Sequence, residues 1–343
     1  MSNDRTLLAS QPLGPLWPTM DPFLFCAHHD DAYPRGNAAL GPDAALGGRQ
    51  IGQDFSRKDG WSMYHGDAVP GFPSHPHRGF ETVTIVRKGL IDHSDSLGAA
   101  ARFGQGDVQW LTAGAGVVHS EMFPLLDASQ PNPLELFQIW LNLPARSKMV
   151  APHFTMFWAN DIPRAVHADE AGRTTEVAVI AGTLDGAAAL APPPDSWAAQ
   201  ADADVAIWTV RMAPGARFTL PAARGDGTRR MLYYFAGSAV TVAGQPVQHA
   251  ALELAAGHAA ALHNGGDTVA EFLLLQGRPL AEPVVQYGPF VMNTQQEIAQ
   301  TLQDYRRTGF GGWPWDDPAP VHGPEPRRFA RRPGAVEDEV PGA

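Results

Sequence analysis

Short β-branched runs closed by glycine or proline recur along this chain, and that rhythm constrains its fold more than any other feature. Glu81-Thr-Val-Thr-Ile-Val-Arg-Lys-Gly89 is one such run and Gly106-Asp-Val-Gln-Trp-Leu111 another; Thr112-Ala-Gly-Ala-Gly116 then reverses the chain into Val117-Val-His-Ser-Glu-Met122. Leu134 to Leu143 is apolar at nearly every position, the mark of a strand buried on both faces. A second series follows: Glu176 to Ala181, Val205 to Met212, Met231 to Ala236 with a continuation through Gly237 to Val242, Ala250 to Leu254, and Val269 to Gln276. The 35 glycines and 31 prolines lie between these runs instead of collecting in one tail, so turns joining short strands dominate and the fold is all-β. A chain of 343 residues has room for two packed units. The spacings of the two series are alike, which predicts two related β-units.

One segment reads as a helix. Thr294-Gln-Gln-Glu297 is a capping box, Ile298, Leu302 and Tyr305 repeat at helical spacing, and Gly309 ends the run. It is expected to pack on a barrel without a catalytic duty. Ala27 to Pro70 carries many Gly, Asp, His and Pro and little periodicity, so it reads as a long loop or cover over the first unit. Arg327, Arg328, Arg331 and Arg332 lie in a Pro-rich stretch followed by Glu337, Asp338 and Glu339, which reads as a solvated tail.

Charge and composition exclude several function classes. A formal net charge of −11 opposes a phosphate backbone as partner, since such binding depends on lysine and arginine. The single cysteine, Cys26, rules out an intramolecular disulfide and any cysteine-based zinc or iron–sulfur site, and it fits a reducing compartment. The start Met-Ser-Asn-Asp-Arg-Thr lacks a basic region followed by an apolar core, and no apolar stretch reaches spanning length. A soluble, cytoplasmic protein is expected.

The chemistry lies in two pairs of potential metal ligands, His75 and His77, then His119 and Glu121. Successive side chains of an extended chain point to opposite faces, so each i, i+2 pair shares a face, and two such strands side by side bring four donors together. With 13 histidines, chance pairs are expected, and a lone His on a strand is more often a satisfied core or surface residue. The second pair and the turn chemistry flanking both favour a site. By parity, and without a bulge, Glu81, Val83 and Ile85 share the face of His75 and His77. His249, His258 and His263 are scattered in sequence and read as surface or turn residues, so only the first unit is expected to hold metal. Three imidazoles and one carboxylate leave positions of an octahedral shell open for water, dioxygen or a chelating substrate. Ni, Cu, Mn, Co and Zn accept such donors as readily as iron.

His75-Pro-His77-Arg-Gly-Phe-Glu81-Thr-Val-Thr, Gly106-Asp-Val-Gln-Trp and Thr112-Ala-Gly-Ala-Gly-Val-Val-His119-Ser-Glu121-Met together resemble the pirin family. The similarity continues through Leu136-Phe-Gln-Ile-Trp-Leu-Asn-Leu-Pro144 and Lys148-Met-Val, and returns in Glu282-Pro-Val-Val-Gln-Tyr-Gly-Pro-Phe-Val-Met-Asn-Thr294. The resemblance implies a bicupin: two antiparallel β-barrel (jelly-roll) domains in one chain with a short C-terminal helix. Residues 1–150 would form the metal-binding cupin domain, with the insertion at about 27–70. Residues 151–312 would form the metal-free one together with helix 294–308, and 313–343, with Trp313 and Trp315, a flexible tail without a match.

The same resemblance makes His75, His77, His119 and Glu121 the ligands of a single Fe(II), and places Glu81 behind them as a supporting carboxylate. It implies an oxygenase of the quercetin 2,3-dioxygenase type, with a flavonol and dioxygen as substrates and Glu121 as the catalytic base for the 3-hydroxyl proton. Val83, Ile85, Trp110, Phe137 and Ile139 are candidates for the cavity wall, though each reads first as plain barrel core. The alternative implied is a non-enzymatic protein whose iron redox state controls docking to a transcription factor or metabolic enzyme. A cupin with structural metal and no turnover is the third reading.

Overall fold

The computed structural model describes residues 6–225 and 227–342. It divides into two compact units, neither continuous in sequence. One takes the chain up to Ala27, Trp140–Asn142 and Asp161–Ala281; the other takes His28–Ile139, Leu143–Asn160 and everything from Glu282 onward. This differs from a cut near residue 150. Strand Leu7–Pro12 pairs antiparallel with Ala250–Leu254, so the first strand belongs with the second series, while the helix belongs with the first.

In the unit built from the second series, a seven-stranded sheet runs in the order Leu7–Pro12, Ala250–Leu254, Arg229–Ala236, Ala270–Gly277, Ala206–Met212, Thr174–Ala181, Arg164–Ala168. It has a four-stranded companion of Arg217–Leu220, Ala260–Asn264, Val240–Val242 and Gln245–Val247. Alternation decides the core: Ala206, Trp208, Val210 and Met212 point inward from one strand and Ala270, Phe272 and Leu274 from another. The expected continuation from Met231 through Val242 is broken at Gly237 (φ +119), and Val240–Val242 joins the second sheet.

The unit that carries His75, His77, His119 and Glu121 has two five-stranded sheets. The first runs His153–Phe157, Val108–Thr112, Phe80–Lys88, Leu134–Asn142, Phe23–Asp31; the second runs Phe329–Arg331, Ala100–Gly104, Leu90–Asp95, Val117–Met122, Gly71–His77. Val86, Leu111, Leu136, Phe154 and Met156 from the first sheet meet Ile91, Ala101, Phe103 and Val117 from the second in one core. The two antiparallel β-units and the C-terminal helix are the architecture that the strand rhythm and the resemblance predict.

The helix, Gln295–Thr308, has the predicted capping box at Thr294 and Glu297, and it ends at Gly309 in the left-handed region (φ +54). It buries Ile298 against Phe290, Met292 and Phe310. It also holds Arg78, whose guanidinium donates to Asp304 Oδ2 at 2.9 Å and to the Ala115 carbonyl at 2.7 Å.

The insertion and the tail are more ordered than their composition suggests. Tyr33, Trp61, Met63 and Tyr64, from the stretch that reads as a loop, enter the barrel core. Arg49 ties that stretch down, donating to Asp54 at 2.9 Å with its guanidinium 3.4 Å from the Trp61 ring centre. In the tail, Phe329–Arg331 adds a strand beside Ala100–Gly104, and fully buried Arg102 clamps Asp92 with two 2.7 Å bonds while donating to the Gly323 and Glu325 carbonyls. The basic cluster is only partly solvent-facing: Arg327 and Arg331 donate to Asp338, and Arg328 to Asp107. Single apolar and charged anchors of this kind carry no periodicity, which is why neither segment reads as structured from sequence.

Candidate metal centre

The strands Gly71–His77 and Val117–Met122 lie side by side and antiparallel, with His75 directly opposite His119. The register slips between Phe72 and His75, and Gly71, at φ +132, pairs with Met122 at the near end. Arg78 and Gly79 (φ +86) then carry the chain into the opposite sheet, where Phe80–Lys88 begins. The strand therefore does not run straight on from the histidines, and the parity expected to place Glu81, Val83 and Ile85 with them is lost.

Three of the four predicted donors converge. One ligand nitrogen from each of His75, His77 and His119 lies within 4.8 Å of the others. The ring centres stand 4.8 Å (His75–His77), 4.5 Å (His75–His119) and 4.8 Å (His77–His119) apart. Nitrogens sharing one ion at about 2.1 Å are at most about 4.2 Å apart, so a small rotation of the rings completes the grip. His75 Nδ1 donates to the Pro73 carbonyl at 2.8 Å, which leaves the Nε2 lone pair for an ion. Burial pushes the His75 pKa down to about 4 and those of His77 and His119 well below the usual value; neighbouring imidazoles add to this. All three are neutral at physiological pH, the form that ligates.

His119 supplies the clearest test of fit to a metal. It is completely buried, and neither ring nitrogen has a hydrogen-bond partner. A buried polar ring with both nitrogens unpaired is costly and rarely retained without a reason. A cation held by His75 and His77 would satisfy it.

Glu121 is not in that cluster. Thr84 Oγ1 lies 3.0 Å from its Oε1 and 2.5 Å from Gln138 Oε1, and Gln138 Nε2 donates to Glu121 Oε2 at 3.0 Å. Thr84 has one hydroxyl proton. If Gln138 receives it, the contact between Thr84 and Glu121 needs a proton on the carboxyl, and burial, which pushes the Glu121 pKa up, favours that form. The carboxyl thus reaches across the core to the opposite sheet, one strand alternation from His119.

Glu81 is elsewhere. It accepts from Thr112 Oγ1 at 2.7 Å and lies on the other face of its strand from Thr82 and Thr84. The wall candidates Val83, Ile85, Trp110, Phe137 and Ile139 are buried core residues, but they lie outside the cluster that Val86, Leu111 and Leu136 form from the alternate positions of the same three strands. The interior face opposite the histidines is polar. Its positions include Thr82, Thr84, Gln109 and Gln138.

His93, which no ligand spacing singles out, completes the neighbourhood. It pairs in register with Glu121, its ring centre lies 5.5 Å from that of His119, and its Nε2 donates to Asp95 Oδ2 at 3.1 Å. The polar run Asp92-His-Ser-Asp95, fully buried within a strand, is the signal that could have found it.

Known proteins share sequence and fold with this chain. The family described as Pirin matches residues 9–141, and the Pirin C-terminal cupin domain matches residues 207–311. The chain is 39% identical over 251 residues to a pirin-like protein of Caulobacter vibrioides, covering 71% of this chain and 82% of that protein. It is 32% identical over 253 residues to human pirin, covering 72% of this chain and 80% of that one. A crystal structure titled quercetin 2,3-dioxygenase from Acinetobacter baumannii superposes with a TM-score of 0.65 at 28% identity, over 90% of this chain and 96% of that one.

Proposed function

The chain belongs to the pirin family, and from that premise and the three-histidine cluster we propose that it is a mononuclear, iron(II)-dependent oxygenase of the quercetin 2,3-dioxygenase type. The observation that carries this reading is the pair of unpaired ring nitrogens on buried His119, within reach of His75 and His77. A donor held neutral by burial, with both ring nitrogens left without a protein partner as in His119, is prepared for a cation. The similarity to a solved quercetin 2,3-dioxygenase supports the reaction class.

In this reading His75, His77 and His119 would hold the ion, and Glu121, the fourth expected ligand, faces Thr84 and Gln138 and would have to turn from them to reach it. Bound there, a divalent transition ion supplies an acidic centre with open positions for a flavonol oxygen and for dioxygen. In its ionised form Glu121 would take the proton of the flavonol 3-hydroxyl onto a carboxylate oxygen, and burial, which raises its pKa, makes that carboxylate the stronger base. Thr84 and Gln138 keep that carboxyl oriented, and the fixed imidazoles hold the reacting edge in one geometry. Among the described residues, no helix is long and apolar enough to cross a membrane.

The test is oxygen uptake by anaerobically purified, iron(II)-loaded protein on addition of quercetin. Uptake that requires both metal and flavonol, and that disappears in His77→Ala, is expected. Iron-loaded protein that consumes no oxygen with any flavonol would overturn the reading.

A further inference from the structure

The face of the barrel opposite the histidines carries polar groups that nothing in the protein satisfies. Gln109 is completely buried, and neither its amide nitrogen nor its amide oxygen has a hydrogen-bond partner. The hydroxyl of Thr82, also completely buried, has none either. Both project into the interior: Gln109 pairs in register with Thr84, whose hydroxyl meets Glu121, and Thr82 pairs with Leu111, a member of the barrel core. Along the same strand face, Phe80 touches the ring of His77 at 5.1 Å between centres, so Phe80, Thr82 and Thr84 form a line from His77 to Glu121. Beside it Gln138 is only half-buried, so this interior face opens towards solvent there.

A primary amide with both ends unpaired in a protein interior is destabilising, and an apolar residue of equal volume would serve the core better. We infer that Gln109, with Thr82, is the polar anchor that orients the substrate against the three-histidine cluster. This rests on the oxygenase reading above. An amide presents a donor and an acceptor side by side, which complements a hydroxyl next to a carbonyl; in a flavonol the 5-hydroxyl beside the 4-carbonyl is such an edge, and it leaves the 3-hydroxyl to Glu121. The substrate class is therefore a planar aromatic bearing adjacent hydroxyl and carbonyl groups. Removing the anchor leaves the metal donors untouched and weakens the hold on that edge.

Gln109→Leu and Thr82→Val are near-isosteric and delete only the unpaired groups. Measured on metal-loaded protein, with quercetin binding followed by absorbance titration, Gln109→Leu should lower affinity between about fivefold and a hundredfold and Thr82→Val by about fivefold, with metal content unchanged. The same variants should resist urea as well as the parent or better, a gain that a purely structural hydrogen-bonding role would not give. If both bind quercetin as tightly as the parent, the anchor is refuted while the oxygenase reading stands. If the parent itself binds no flavonol, that reading falls and the anchor falls with it.

Discussion

His75 and His119 face each other directly across two antiparallel strands, with ring centres 4.5 Å apart, and only His75 has a protein partner for one of its nitrogens. The pair is held by backbone register, so the ligand geometry is decided before any ion arrives. His119 gains nothing from the protein in return for its burial. In His119→Leu, which keeps the volume and deletes the unpaired nitrogens, metal affinity should drop at least about a hundredfold, while the metal-free protein should be as stable as the parent or up to ~2 kcal/mol more so. Elemental analysis after dialysis and urea melts of metal-free protein check the two halves. A metal-free variant that unfolds readily would make His119 an ordinary core residue.

Gly71 sets the end of the register that aligns the donors. Its φ is +132, and a Cβ added there would come within 2.5 Å of the Glu121 carbonyl oxygen and 2.8 Å of the Met122 Cα. Both are backbone atoms and cannot swing aside. Gly71→Ala should therefore cost about 2 kcal/mol or more and loosen metal binding, though no ligand is changed. Thermal melts and metal titration of the variant measure both, and a variant indistinguishable from the parent contradicts the argument.

Acid sensitivity should expose a compensated pair. His29 donates to Tyr64 at 2.8 Å and Tyr64 to Asp31 at 2.7 Å. Burial lowers the His29 pKa to about 4 and raises that of Asp31 to about 6. As pH falls from 6.5 to 4, the unfolded chain takes up the imidazole proton that folded His29 refuses, so stability falls. Between 6 and 3.8 it is the folded state that takes up the Asp31 proton first, so stability is returned. In Asp31→Asn only the loss remains, and urea midpoints of metal-free protein between pH 6 and 4 should fall more steeply than in the parent, by up to ~1.4 kcal/mol per pH unit. Parallel slopes would show that the two groups do not titrate in this way.

The tail should matter to the barrel it covers. Arg102 is fully buried and depends on the Gly323 and Glu325 carbonyls, while the His322 backbone N–H donates to Asp92 Oδ2 at 2.7 Å and Trp315 Nε1 to the Asp95 carbonyl at 2.9 Å. Ending the chain after Gly312 leaves these groups to solvent or unpaired, and should lower the Tm by roughly 10 °C. A truncated protein that melts with the parent would return the tail to the status of a solvated appendage.

Strand rhythm and parity explain both what was legible and what was not. The runs at 108–112, 117–122 and 206–212, the capping box at Thr294 and the stop at Gly309 were readable because each is written in neighbouring residues. The failure at Glu81, Val83 and Ile85 has a single cause: two residues, Arg78 and Gly79, move the chain to the opposite sheet and reset which face is inside. Gln109 and Thr82 were invisible, and His93 showed only as part of a polar run, because a buried polar group acquires meaning only from the partners that the fold grants or denies it.

By itself, then, the amino-acid order determined an all-β chain of two related units, a capped helix and the two histidine-bearing pairs, since propensity, turn chemistry and i, i+2 spacing are local properties. Tertiary structure alone decided that strand Leu7–Pro12 completes the sheet of the other series, that the tail is pinned by Arg102, and that Glu121 reaches to Thr84 and Gln138. Those outcomes depend on which distant backbones pair and which side chains they leave facing one another, and that choice is made by burial summed over the whole barrel.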